Sequence, residues 1–356
     1  MAARTLLKRL TEAHGVPGFE DEVREIFCGE LGNAGKLATD RHGSVLCDAG
    51  GKGPRVLLAG HMDEVGFRVQ SITAGGFLRL VPVGGWWTHV LLAQQMEIKT
   101  AAGRKIIGVV GSKPPHFLPE SERTTVMALE KMFVDVGAGS REEAESWGIR
   151  PGDPVAPRTR FEPLARKGRY IAKAFDNRVG IAAAIEAGKF LAKTKRSNRL
   201  LLAGTVQEEV GLRGAQTLAA VAKPDVAILF EGTPADDTPG FESIVSQGVV
   251  GQGVQIRLHD PSAIMHRGLA QFAIDTAERG KIPHQVAVRT GGGTDAGRIQ
   301  LAGEGVPCVV LGVPARYIHS HGSIIDVADF DAMVNLSVAM VKGLSAARVK
   351  KLVSYL

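Results

Sequence analysis

Three cysteines in 356 residues, Cys28, Cys47 and Cys308, are odd in number and scattered. They form neither a CxxC pair nor a disulfide framework, and read as small buried hydrophobes in a reducing compartment. Aromatic residues make up only 5% of the chain, which leaves little surface for stacking bases or sugars. No apolar stretch reaches the ~20 residues that a membrane span needs. Residues Met1 to Leu10 lack the continuous apolar core of a signal peptide; Leu6, Leu7 and Leu10 fall instead on one helical face. The net charge of +6 is a small excess of 43 basic over 37 acidic residues. Its modest clusters, Lys193 to Arg196 and Arg348 to Lys351, read as solvated helix faces. A cytoplasmic protein without membrane or nucleic-acid partners is therefore expected.

What the chain does have is four short apolar runs, each ending near a side chain able to bind a metal. Val56 to Ala59 precedes His61, and Leu200 to Ala203 precedes Glu208-Glu209. Val226 to Phe230 precedes Glu231, and Cys308 to Leu311 precedes His319. Short aliphatic runs bounded by Gly and polar residues read as buried strands of a parallel sheet. Ligands gather at the carboxyl ends of such strands. Asp176, after Lys173-Ala174-Phe175, is a fifth candidate. Two imidazoles with three or four carboxylates on one sheet edge form the inventory of a two-metal hydrolytic centre.

The texture of the chain divides it. Residues 5–32 read as helical, interrupted at Gly15 to Gly18. A strand pair over 37–48, turning at His42-Gly43, follows. From about 68 to 167 short β runs alternate with turn signals (Gly75-Gly76, Gly84-Gly85, Pro114-Pro115), as in a small antiparallel β domain. From 168 the α/β pattern returns, with helices over 179–192 and 326–347. The expected architecture is a mixed, largely parallel sheet flanked by helices (1–67 and 168–356), carrying an inserted β-barrel domain (68–167).

Each candidate has a plain structural alternative. In His61-Met62-Asp63 the carboxylate stands where it can hold the second ring nitrogen of a metal-binding imidazole, or is simply a turn Asp. Asp176 is either a metal bridge or a helix N-cap. Adjacent buried carboxylates repel, so Glu208-Glu209 suits one metal ligand beside one proton acceptor; exposed loop glutamates are the alternative. Glu231 ends a buried strand, a poor place for an unpaired carboxylate. The residues alone do not choose between His319 and His321. His14, His42, His89, His116, His259, His266 and His284 lack carboxylate neighbours and read as structural or surface groups. Gly291-Gly292-Gly293-Thr294-Asp295 lacks the features of a P-loop. Gly292, Gly293, Thr294 and Asp295 are read as a flexible substrate-pocket wall, with a plain turn as the alternative.

Ala59 to Phe67 (AGHMDEVGF), Ala174 to Arg178, Val206 to Ala215 (VQEEVGLRGA) and Arg316 to Ser320 resemble the glutamyl-aminopeptidase/tetrahedral-aminopeptidase family of co-catalytic metallopeptidases. The resemblance runs nearly end to end and includes Gly111 to His116 and Asp135 to Ala138 in the insert. It implies an aminopeptidase in which Asp176 bridges two metals. His61 and Glu231 would complete one metal, and Glu209 and His319 the other, which settles the choice in favour of His319. Glu208 would be the general base and Asp63 would orient His61. It also implies two zinc or cobalt ions, peptide substrates, and dimers built through the insert into a hollow tetrahedral dodecamer. Glu231 departs from the Asp found in many members. Some relatives carry a cellulase label, which the few aromatics and the metal pair argue against. The same centre would serve an N-acyl-peptide deblocking enzyme, a deacylase or a carboxypeptidase; a non-catalytic shell protein is a further alternative.

Overall fold

The computed structural model describes residues 2–242 and 245–355. The expected hairpin is present as β1 (Lys36–Thr39) and β2 (Val45–Asp48), followed by β3 (Arg55–His61). The next six strands are β4 (Gly66–Ile72), β5 (Leu78–Val83), β6 (Gln95–Lys99), β7 (Lys105–Ser112), β8 (Met132–Asp135) and β9 (Pro154–Pro157). All their pairings are antiparallel, and the order β4-β5-β8-β7-β6-β9 closes into a barrel. Closure removes sheet edges. Phe67, Val69, Met96, Ile98, Val134 and Val155 fill the barrel with a core of its own.

After the barrel come β10 (Glu162–Pro163), β11 (Arg169–Ala172), β12 (Arg199–Thr205), β13 (Val226–Pro234), β14 (Val254–Asp260), β15 (Ala263–Ile264), β16 (His284–Val288), β17 (Cys308–Ala315) and β18 (Ser323–Asp326). The large sheet runs β1-β2-β12-β3-β13-β17-β14-β15, with β16 beside β14. Its middle is the set of four apolar runs, β12, β3, β13 and β17, paired parallel. Strands covered on both faces cannot alternate polar and apolar residues, and the four are buried almost throughout. Leu58, Leu202, Ile228 and Val309 face a layer that includes Leu7, Phe27, Ile181 and Phe330. Leu57, Leu201, Leu229 and Val310 face Leu218 and Ile299 on the other side.

The Phe175–Ala192 helix crosses the sheet centre and is almost wholly buried. Its small residues allow this: a Cβ at Gly60 would lie 2.9 Å from the Gly180 backbone. The first helices are Ala2–Glu12 and Asp21–Leu31, with Leu6, Leu7 and Leu10 all buried. The helix expected over 326–347 is two, Val327–Gly343 and Ala346–Leu352, because Ser345 caps a new one by accepting the Arg348 N–H. No helix among the described residues is long and apolar enough to cross a membrane.

Candidate metal centre

The parallel strands deliver their polar ends to one edge. His61 closes β3 in register with Thr205, the last residue of β12. Beyond Thr205 the chain turns through Gln207 at φ 54°. That turn lets neighbouring Glu208 and Glu209 both face inward, where a continuing strand would have split them. Glu231 sits inside β13, opposite Gly312 of β17. His319, at φ 57°, follows β17 after Tyr317 at φ 59°. Non-glycine residues held at positive φ gather at functional sites.

Asp176 decides the geometry. It carries non-helical φ/ψ within the Phe175–Ala192 helix and follows Ala174 at φ 56°, so it is not an N-cap. A Cβ at Gly232 would lie 2.8 Å from its backbone, which is why a glycine follows Glu231. The two Asp176 oxygens point to different groups. Oδ1 is 3.2 Å from His61 Nε2, and Oδ2 is 3.4 Å from His319 Nε2. His61 Nε2 also lies 3.6 Å from Glu231 Oε2 and 3.7 Å from Glu208 Oε2. His319 Nε2 lies 3.4 Å from Glu209 Oε2. The ligand atoms of His61, Asp176 and Glu231 lie within 4.8 Å of one another, as do those of Asp176, Glu209 and His319. A third such group is His61, Glu208 and Glu209.

This donor set fits divalent cations. Nitrogen and carboxylate oxygen suit zinc, and three protein ligands leave the open position of a catalytic site. Glu209 Oε1 is buried with no hydrogen-bond partner among the described residues, an expensive arrangement unless a cation meets it. Electrostatics agree. Burial works against a charged His61, yet Glu208, Asp176, Asp63 and Glu231 hold its pKa well above 6.5. Burial likewise opposes His319 ionisation, but Asp176 and Glu209 push its pKa to about 11. Burial, reinforced by neighbouring carboxylates, pushes Glu231 up to about 7 and Glu208 well above the usual 4.5.

Loading a metal must expel these protons. Affinity is therefore expected to rise with pH through about 7, where Glu231 gives up its proton, with proton release visible to an indicator dye in weak buffer. The metal-free fold responds in the opposite sense. The unfolded chain ionises Glu231 near 4.5, so its raised value costs stability as pH climbs from there to about 7. The stabilising charge on His319 is likewise lost as pH rises between 6.5 and about 11. Melting of metal-free protein should thus fall with rising pH and be restored by metal. A metal affinity that is flat with pH would contradict this assignment.

Asp63 is fully buried, and its two carboxylate oxygens accept the Glu208 and Glu209 N–H groups, each at 3.0 Å. Its carboxylate lies 3.4 Å from His61 Nδ1, which is nearer, at 3.1 Å, to the Asp63 backbone carbonyl. His321 stays outside the cluster, packed edge-on against Trp86 with ring centroids 5.2 Å apart.

The cluster floors a cavity of about 240 Å³ whose wall includes Gly292, Gly293 and Thr294, together with Leu212, Ile318 and Arg257. Asp295 differs from expectation. It lies behind the wall, buried, with Oδ2 accepting the Thr205 hydroxyl, because Thr294 and Asp295 open the Ala296–Ile299 helix and turn inward. Sequence reasoning missed Arg257, the only Arg or Lys in the lining among the described residues. Its Nη2 donates to Thr233 Oγ1 at 2.8 Å, and Nη1 lies 3.4 Å from Asp260 Oδ2. It also missed Gly84 and Gly85 of the barrel, where a Cβ would lie 3.2 Å from Glu209 Cβ and 3.5 Å from His319 Nδ1 respectively.

The family model for M42 glutamyl aminopeptidase matches residues 43–336, and a second model, AMPT, matches residues 3–27. The chain belongs to the M42 glutamyl aminopeptidase family. This M42 peptidase is 37% identical to the glutamyl aminopeptidase of Lactococcus lactis, over 98% of each chain. It is 39% identical to the crystal structure of a TET aminopeptidase from a marine-sediment Thaumarchaeota archaeon, with a TM-score of 0.96 over 99% of each chain. The TET1 peptidase of Pyrococcus horikoshii, described as assembling into a tetrahedron or a large octahedral shell, is 32% identical. Its TM-score is 0.87, with 96% of this chain and 100% of that one covered. The chain is thus a peptidase of the aminopeptidase class, with the sheet-plus-barrel fold of its relatives.

Proposed function

We propose that this M42 peptidase removes N-terminal residues from unfolded peptides, using two divalent ions, zinc or cobalt. The single observation that carries this is Asp176, whose two oxygens face two separate imidazole–carboxylate groups. His61 and Glu231 would complete one ion with it, and Glu209 and His319 the other. A divalent pair held by these residues would supply Lewis-acid polarisation and a water of lowered pKa. Asp63 fixes His61 and, through the two backbone N–H groups it accepts, the turn carrying Glu208 and Glu209. Glu208 takes the proton from water and passes it to the leaving amine; its raised proton affinity, from burial first, suits that exchange. Gly292, Gly293 and Thr294, which line the cavity, would contact the terminal residue. Assays of aminoacyl-nitroanilides with zinc, cobalt and manganese, beside free and N-acetylated peptides, test the reading. Cleavage of N-acetylated peptides in preference to free ones would move the activity to deblocking.

Arg257 supports a preference for acidic N-terminal residues. Among the described residues it is the one guanidinium in a lining that also carries carboxylates, two imidazoles, Thr294 and apolar groups, and it is buried to 3% exposure, where an incoming carboxylate would be desolvated with it. Replacing Arg257 with Met is expected to cut kcat/KM for a glutamyl substrate about tenfold or more while changing a leucyl substrate little. Equal losses on both would remove Arg257 from substrate selection.

Residues 68–167 serve in this reading as the dimerisation insert of a dodecamer. Trp87, Ile107, Val109, Phe117 and Val126 of that segment are exposed apolar side chains, with Phe117 at 68% and Trp87 at 63%, in keeping with an interaction surface. Light scattering should return twelve chain masses.

A further inference from the structure

Behind the metal centre lies a buried ion cluster that the mechanism above does not use. Glu64 is 1% exposed, Lys173 4% and Arg178 0%. Lys173 Nζ donates to both Glu64 oxygens, at 2.5 and 2.7 Å, and Arg178 Nη2 donates to Glu64 Oε1 at 3.0 Å. The same cations hold the chain that leaves the first helix. Lys173 Nζ donates to the Ala13 carbonyl at 2.9 Å, and Arg178 Nη1 to that of Leu10 at 2.6 Å. The Glu64 N–H closes the loop by donating to the Gly15 carbonyl at 2.9 Å.

The placement of these residues is what gives the cluster a role. Lys173 and Arg178 straddle Asp176, three residues before it and two after. Glu64 directly follows Asp63. One carboxylate therefore ties the segment carrying His61 and Asp63 to the segment carrying Asp176. Asp63 and Glu20 also attract Arg178, and Glu97 attracts Lys173, so the two buried cations sit among several carboxylates beside the metal centre. An ordinary stabilising ion pair would not need this bracketing, and a buried pair is in any case weak support for a fold.

We infer that Glu64, with Lys173 and Arg178, is a positioning unit that sets how Asp176 and His61 face each other, and so how tightly the centre holds its cations. This rests on the two-metal reading. Groups behind metal ligands commonly change affinity by 10–100-fold when replaced. The three residues act through Asp176 and His61 and do not touch substrate.

The test is chelator competition for zinc and for cobalt on the full-length protein, with melting of the metal-free protein recorded beside it. Glu64→Gln keeps the shape and removes the charge; its metal dissociation constant should rise about tenfold or more. Saturating metal should recover most of kcat and leave KM near that of the parent, which a damaged fold would not do. Should Glu64→Gln fail to fold, Lys173→Met decides the matter, since Arg178 still pairs with Glu64. It should weaken metal binding in the same way, and Lys173→Arg should regain most of the loss. Folded variants with unchanged dissociation constants would overturn the inference. If the unsubstituted protein takes up no metal, the two-metal reading itself fails and this inference falls with it.

Discussion

Glu208→Gln is expected to lower kcat by on the order of 10²–10⁴-fold with both metals retained, because a positioned proton acceptor contributes that much to an acyl-transfer step. Gln keeps the size of the side chain and its contact with the cavity, but cannot accept and return a proton. The substitution also separates two roles that the geometry allows Glu208. Its Oε2 is 3.7 Å from His61 Nε2, and it forms one of the three possible ligand groups with His61 and Glu209. If Glu208 is the proton acceptor, metal content stays at two per chain and KM changes little. If it is a ligand, metal content falls with activity. Full activity with metal retained would remove Glu208 from the mechanism altogether.

The reason so much of this centre can be read from the chain is physical. A parallel strand covered on both faces must be continuously apolar, so His61, Glu208, Glu209 and Glu231 stand out against Val56 to Ala59, Leu200 to Ala203 and Val226 to Phe230. The inserted barrel is legible for a related reason: its short β runs and glycine turns break a pattern that resumes intact at β12. Asp176 is harder. The apolar spacing of its helix marks Val179 onwards, whereas the helical segment opens at Phe175 with Asp176 and Asn177 in non-helical conformations. Nothing local distinguishes that backbone from an ordinary N-cap.

Other residues left no local signal at all. Arg257 looks like a polar residue midway along β14, and only the fold sets it in the cavity wall. Glu64 lies more than one hundred residues before Lys173 and Arg178, and the three become a cluster only when the fold brings the two segments together. Asp295 shows the converse error. Its glycine-rich approach suggested a pocket wall, but the short helix it opens turns it towards Thr205. Sequence neighbours of a wall residue need not share its exposure.

Asp176→Asn should have the larger effect on metal content. Because Oδ1 faces His61 and Oδ2 faces His319, replacing one oxygen with an amide NH₂ leaves a ligand for one group and a hydrogen-bond donor aimed at the other. The volume is kept, so the variant tests charge and donor type and not packing. Metal stoichiometry should fall from two to at most one. The carbonyl polarisation and water activation that a metal pair supplies are worth several kcal/mol, which at 1.36 kcal/mol per decade is about a thousand-fold or more in kcat. His319→Ala removes a ligand from one group only, so it should spare the His61–Glu231 ion that Asp176→Asn puts at risk. Cation-induced stabilisation follows the same division, since ligand binding raises stability by RT ln(1 + [L]/Kd) for each site that survives. An Asp176→Asn protein that still binds two ions and turns over normally would mean that the two imidazole groups do not share Asp176 as a ligand, and the dinuclear assignment would have to be abandoned.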